Sequence, residues 1–145
     1  MEIRKAVEKE EFVKCWKVVQ ILRPELDMEQ YLMLMLHMLD ERYKMIYIQE
    51  NEEVVAICGY RHTTMLHRGR NIYIDDLCTR PDARGKGYAS TLLQHVFDEA
   101  REGGMQSIHL DSGHQRYEAH HLYLNKGFRI TAHHFATEVR RTGKQ

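Results

Sequence analysis

The apolar run Ile72 to Cys78 leads through Arg84-Gly85-Lys86-Gly87-Tyr88-Ala89 into Ser90 to Arg101, where apolar residues recur at helical spacing. A strand that turns through two glycines into a helix commits the middle of the chain to a mixed α/β arrangement. It also gathers backbone N–H groups at the helix start, a nest of the kind that binds phosphate. Glycine lets the backbone approach a ligand that a side chain would hold off. Arg84 and Lys86 add positive charge at the same place. Two readings stand side by side: an ordinary strand-to-helix turn, and an anion site for a ligand carrying a pyrophosphate.

The flanking sequence supplies the rest of a sheet. Ile3 to Ala6 is a short strand, and Glu8 to Leu22 has Phe12, Trp16, Val19 and Leu22 at helical period. Asp27 is placed to cap a helix from Met28 to about Leu39. Tyr43 to Gln49 and Val54 to Arg61 form a hairpin across Glu50-Asn51-Glu52-Glu53. After Gly103-Gly104 come a strand over Gln106 to Leu110, a helix over Gln115 to Lys126 ended by Gly127, and a strand from Phe128 to Val139. The order is β-α-α-β-β-β-α-β-α-β, an α+β or mixed α/β fold, with a polar tail from Arg140 to Gln145. No repeat or linker interrupts it, and 145 residues make one domain, residues 1–145.

Two nucleotide motifs fail at the glycine loop. A Walker loop needs Ser or Thr after its Gly-Lys, and the dinucleotide fingerprint needs three glycines and a later acid. Asp76-Leu77-Cys78-Thr79-Arg80-Pro81-Asp82-Ala83-Arg84-Gly85-Lys86-Gly87-Tyr88-Ala89 instead resembles the central motif of the GNAT superfamily of acyl-CoA-dependent N-acyltransferases. Downstream, Ala119-x-x-Leu122-Tyr123-x-x-x-Gly127-Phe128 resembles that family's last helix and the start of the strand after it. The resemblance is close from Ile72 to Phe128 and covers the N-terminal half in outline. Arg116 stands where many members carry an asparagine that contacts the pantetheine arm or nearby backbone.

The resemblance implies a mostly antiparallel twisted sheet flanked by about four helices, and acetyl-CoA as co-substrate. It implies that backbone groups of Leu77, Cys78 and Thr79 hold the pantetheine arm and polarise the thioester oxygen. It implies that amides from Gly85 through Lys86, Gly87, Tyr88 and Ala89 to Ser90 hold the pyrophosphate, aided by Arg84 and Lys86. Tyr123 matches the position of a catalytic tyrosine near the thiolate; the plain alternative is a packing tyrosine. Asp75 and Asp76 resemble the acidic pair of polyamine-type acetyltransferases, with Asp75 favoured as base; the alternative is a structural carboxylate. Two adjacent acids in an apolar strand are costly to bury without purpose, and strand alternation sends them to opposite faces.

Magnitudes rank the chemical steps. Freeing an amine of pKa about 10.4 at neutral pH costs roughly 4–5 kcal/mol, whereas a thiolate of pKa about 8.5 leaves more easily. Base and positioning therefore matter more than the acid. The expected reaction is direct attack of a primary amine on the thioester. A silent acyl-CoA-binding sensor is the rival reading.

Other features limit the function. The totals, 21 Lys+Arg against 21 Asp+Glu, argue against a general nucleic-acid binder. His120-His121 and His133-His134 are adjacent, not at the i, i+4 spacing that puts two metal ligands on one helix face, so no metal is expected. The stripe of methionines between 28 and 38 reads as core or as an adaptable cleft lining. No run is long enough to span a membrane, and Cys15, Cys58 and Cys78 show no pairing pattern, so a cytoplasmic protein is expected. The resemblance implies an amine acceptor on a small molecule or peptide, and pairing as a homodimer is common in the resembling family.

Overall fold

The computed structural model describes residues 1–139, and the polar tail lies outside the described residues. The elements run β1 (Ile3–Lys5), α1 (Lys9–Leu22), α2 (Met28–Asp40), β2 (Tyr43–Glu50), β3 (Glu53–Met65), β4 (Gly69–Thr79), α3 (Tyr88–Glu102), β5 (Ser107–Leu110) and α4 (Tyr117–Asn125). Two compact units divide at Leu110, the first holding everything through β5.

In the first unit the strands lie in chain order, β1 to β5. Every neighbouring pair is antiparallel except β4 and β5, which are joined through α3 and run parallel. The β2–β3 hairpin closes through Asn51 and Glu52, both at positive φ as a tight hairpin turn requires. Alternation then sorts the strands between two faces. Tyr43, Met45 and Tyr47 of β2 share a core with Phe12, Cys15, Val18 and Val19 of α1 and Tyr31 and Met35 of α2. Lys44 of β2, with Tyr60 and His62 of β3, reaches Glu99 of α3 on the opposite face. Only part of the methionine-rich helix α2 belongs to the core: Met33, Leu34 and Leu36 are exposed. All three cysteines are buried thiols, and none is in a disulfide.

Helix ends follow from local chemistry. Asp27 accepts from the Gln30 amide while the Gln30 side chain accepts from the Asp27 amide, a reciprocal box that starts α2. Glu11 accepts from the amides of Val7 and Glu8 at the start of α1. The start of α3 has no such cap. Its N-cap is Gly87, in the left-handed region at φ 85° and without a capping side chain.

The second unit begins at Asp111 and contains α4. Here the strand expected over Phe128 to Val139 is absent; the chain through Val139 has no regular structure, and Ile130, Phe135 and Val139 are exposed. The pattern itself contains the reason. Phe128, Ile130 and Ala132 keep one phase, and Phe135 and Val139 fall on the other, so no single face of a strand would be apolar.

Candidate active site

The strand β4 is broken in register at its acidic pair. Gly59 of β3 stands opposite Asp76 and Tyr60 opposite Ile74, which leaves Asp75 as an extra residue. This bulge cancels the alternation that would have sent Asp75 and Asp76 to opposite faces, and both carboxylates enter one network. Arg61 holds Asp75 with two parallel bonds, Nε to Oδ1 at 3.1 Å and Nη2 to Oδ2 at 2.8 Å. Arg23, the residue that ends α1, gives Nε and Nη2 to Asp76 Oδ1 at 3.1 and 2.8 Å, and Nη2 also to the Asp75 carbonyl at 3.0 Å. The Tyr43 hydroxyl donates to Asp76 Oδ2 at 2.7 Å. Burial lifts the Asp75 carboxyl above its ordinary value of 3.8, with Arg61 pulling the other way. Burial and the neighbouring Asp76 push the Tyr43 phenol far up, so it stays a donor.

Gly59 makes this possible. A Cβ built there would collide with the Tyr43 hydroxyl, so the missing side chain is the space through which Tyr43 reaches Asp76. None of Arg23, Tyr43, Gly59 or Arg61 stood out in the sequence. The single signal was a glycine inside an otherwise β-rich run.

The bulge also divides β4 along its other edge. Pairing to β5 stops at Ile74 opposite Leu110, whereas β4 continues to Thr79. Leu77, Cys78 and Thr79 thus pair with Cys58, Ile57 and Ala56 on one side, and among the described residues no strand lies on the other. Immediately after comes a turn of 3-10 helix, Pro81–Ala83, and then the glycine loop. Gly85 and Gly87 have φ of 79° and 85°, a conformation that resists other residues. A Cβ at Gly85 would meet nothing, so the hollow beside it is open. Arg84 and Lys86 are exposed, Tyr88 is buried, and Ala89 and Ser90 are half-buried in the first turn of α3. The Thr91 amide makes the first helical bond, to Gly87 O, which leaves the amides before it outside the helical ladder. A strand end beyond its β5 partners, two glycines at positive φ and a helix start without a side-chain cap, beside two cations, are groups that could hold the arm and pyrophosphate of a coenzyme A thioester.

In the second unit Tyr123 is half-buried on α4. The Phe128 amide bonds to Tyr123 O, the Gly127 amide bonds to Leu124 O, and Gly127 has φ 94°. This is a Schellman ending, and its customary apolar contact is the Tyr123–Phe128 ring pair, 5.8 Å between centroids. The spacing Tyr123-x-x-x-Gly127-Phe128 therefore has a purely local cause in addition to any role in chemistry. Arg116 is the exposed N-cap of α4. Among the described residues no three His, Cys, Asp or Glu side chains gather closely enough to hold a metal ion, and no helix is long and apolar enough to cross a membrane.

Residues 8–128 match the Acetyltransferase (GNAT) family. The chain belongs to that family. It is 35% identical over 141 residues to an uncharacterised N-acetyltransferase of Bacillus subtilis, YhdJ, covering 96% of this chain and 99% of that protein. Aminoalkylphosphonate N-acetyltransferase of Salmonella typhimurium is 32% identical over 80 residues, 54% of this chain and 52% of the relative. In fold, an acetyltransferase of Trypanosoma brucei superposes with a TM-score of 0.77 at 16% identity, over 95% of this chain and all of that one. The GNAT assignment makes the protein an acetyltransferase, with acetyl-CoA as the implied co-substrate and an amine as the implied acceptor.

Proposed function

We propose that this GNAT enzyme transfers the acetyl group of acetyl-CoA directly to a primary amine of a small molecule, with no acyl group passing through the protein. The observation that supports this most is the stretch Leu77–Thr79, where β4 continues past its last β5 partner and leads, through the turn at Pro81–Ala83 and the glycine loop, to the uncapped start of α3. Backbone groups of Leu77, Cys78 and Thr79 bind the pantetheine arm and orient the thioester. Amides from Gly85 to Ser90, with Arg84 and Lys86, hold the pyrophosphate. In the reaction the amine nitrogen bonds to the acetyl carbon and the carbon–sulfur bond breaks. The nitrogen loses a proton and the departing sulfur gains one.

Asp75 is the base in this scheme, directly or through a water. Burial raises its affinity for a proton, and each of its oxygens accepts only one bond from Arg61. Asp76 orients Arg23 and Tyr43 around it. Tyr123 supplies the proton to sulfur, and Arg116 contacts the pantetheine arm. We take residues 1–145 as one N-acetyltransferase domain because the family match crosses both units. The buried thiols favour a reducing, cytoplasmic setting. The Salmonella relative, named for an acceptor that joins an amine to a phosphonate, supports a small acceptor.

Initial velocities measured over a grid of acetyl-CoA and amine concentrations test the direct route. Intersecting lines, with CoA released only in the presence of amine, are expected. Parallel lines and an acetylated protein would replace direct attack with a covalent route.

A further inference from the structure

The acidic pair at the bulge is already partnered by the protein before a ligand arrives. Asp75 has both oxygens on Arg61, and Asp76 has one on Arg23 and the other on Tyr43. Asp75 and Asp76 thus each hold one guanidinium. Arg61 spends its remaining end, Nη1, on Glu41 at 3.3 Å. Arg23 bonds through Nε and Nη2 only, and its Nη1 makes no hydrogen bond to the described residues. Exposure follows the same division. The side chains of Asp76, Arg61 and Asp75 are 14, 19 and 21% exposed, whereas that of Arg23 is 42% exposed. The accessible, unspent group at the bulge is therefore a pair of cationic N–H donors, with the carboxylates behind it.

We infer that the acceptor carries an oxyanion, a carboxylate or phosphonate, besides its amine, and that Arg23 selects it by binding that oxyanion through Nη1. This rests on the proposed seat of the thioester at Leu77–Thr79. A guanidinium held in place by two bonds to Asp76 presents its outer edge already oriented, which suits a planar or tetrahedral oxyanion. A guanidinium edge only donates, so it offers the second ammonium of a diamine no acceptor.

The test is an acceptor panel at saturating acetyl-CoA: glycine, β-alanine and 2-aminoethylphosphonate against glycinamide, β-alaninamide and diamines of matched length. The anionic acceptors are expected to exceed the others at least tenfold in kcat/KM. Intrinsic reactivity cannot produce that order, because the amide amines are the less basic and the more easily deprotonated. Arg23→Lys keeps a cation for Asp76, so that the fold survives, and removes the second edge. It is expected to raise KM about tenfold for the anionic acceptors alone, leaving KM for acetyl-CoA unchanged. Preference for diamines, or an equal effect of Arg23→Lys on every acceptor, would overturn the role of Arg23 while leaving amine acetylation intact. No CoA release with any amine in the panel would instead overturn amine acetylation, and this inference with it.

Discussion

Two partly buried carboxylate clusters lie on opposite faces of the same sheet, and they are built for different ends. At Glu99, Lys44 Nζ and His62 lie on one oxygen at 2.8 and 2.6 Å, and the Tyr60 hydroxyl on the other at 2.6 Å. Burial alone would raise the Glu99 carboxyl, but Lys44, Tyr60 and His62 outweigh it and bring it from 4.5 to about 2. Those partners come from β2 and β3, with Lys44 directly opposite Tyr60, and they tie α3 to the sheet. At the Asp75–Asp76 bulge the register is broken, a tyrosine passes through the space left by Gly59, and one guanidinium edge is left over. The first cluster gathers three partners on one carboxylate and joins α3 to the sheet, and the second, in our proposal, presents a spare guanidinium edge to the acceptor. A shifted carboxylate alone therefore does not mark an active site, since Glu99 is shifted by partners that serve to fasten a helix.

The contrast can be broken at either cluster. The largest expected effect is from Gly87→Val, which fills the hollow at the start of α3 and strains a backbone held at φ 85°. Calorimetry should show acetyl-CoA affinity falling on the order of a hundredfold, while circular dichroism shows the fold kept. Undiminished affinity would remove the glycine loop from coenzyme binding. Next is Glu99→Gln, an effect on stability and not on kcat. A side chain 24% exposed keeps only part of the full linkage value, leaving about 2 kcal/mol at neutral pH. The folded carboxyl is lower than the unfolded one, so this stabilisation is complete above about pH 4.5 and vanishes toward pH 2. In urea unfolding the gap between wild type and Glu99→Gln should close over that window, and a gap independent of pH would refute the ion-pair origin. The smallest effect is from Tyr123→Phe, about tenfold in kcat with KM for acetyl-CoA nearly unchanged, since a thiolate leaves readily without much help. The pH–rate profile should lose its alkaline limb, and an unaltered profile would reduce Tyr123 to its packing against Phe128.

The sequence revealed the elements better than their relations. The period of Phe12, Trp16, Val19 and Leu22, the Asp27 cap, and the Asn51-Glu52 turn are local signals, and α1, α2 and the hairpin appear where those signals put them. The glycine turn into α3 was readable for the same reason, since the two glycines that take positive φ and the helix start lie within six consecutive residues. The bulge was not readable, because register depends on which β3 residue stands opposite, and no window of β4 contains that partner. Arg23 and Arg61 are distant in the chain from Asp76 and Asp75 and look like ordinary surface cations until the fold brings them together. The missing strand after Phe128 shows the opposite error. Its apolar content points to a strand, but the change of phase between Ala132 and Phe135 denies it a consistent face.

Amide hydrogen exchange with and without acetyl-CoA tests most directly whether the bulge separates a fastened half of β4 from a coenzyme-binding half. The structure predicts new protection at Leu77, Cys78 and Thr79 and from Gly85 through Ser90, with no change at Lys44, Tyr60 or Glu99. Protection spread evenly over both clusters, or absent from Leu77 to Thr79, would contradict that division.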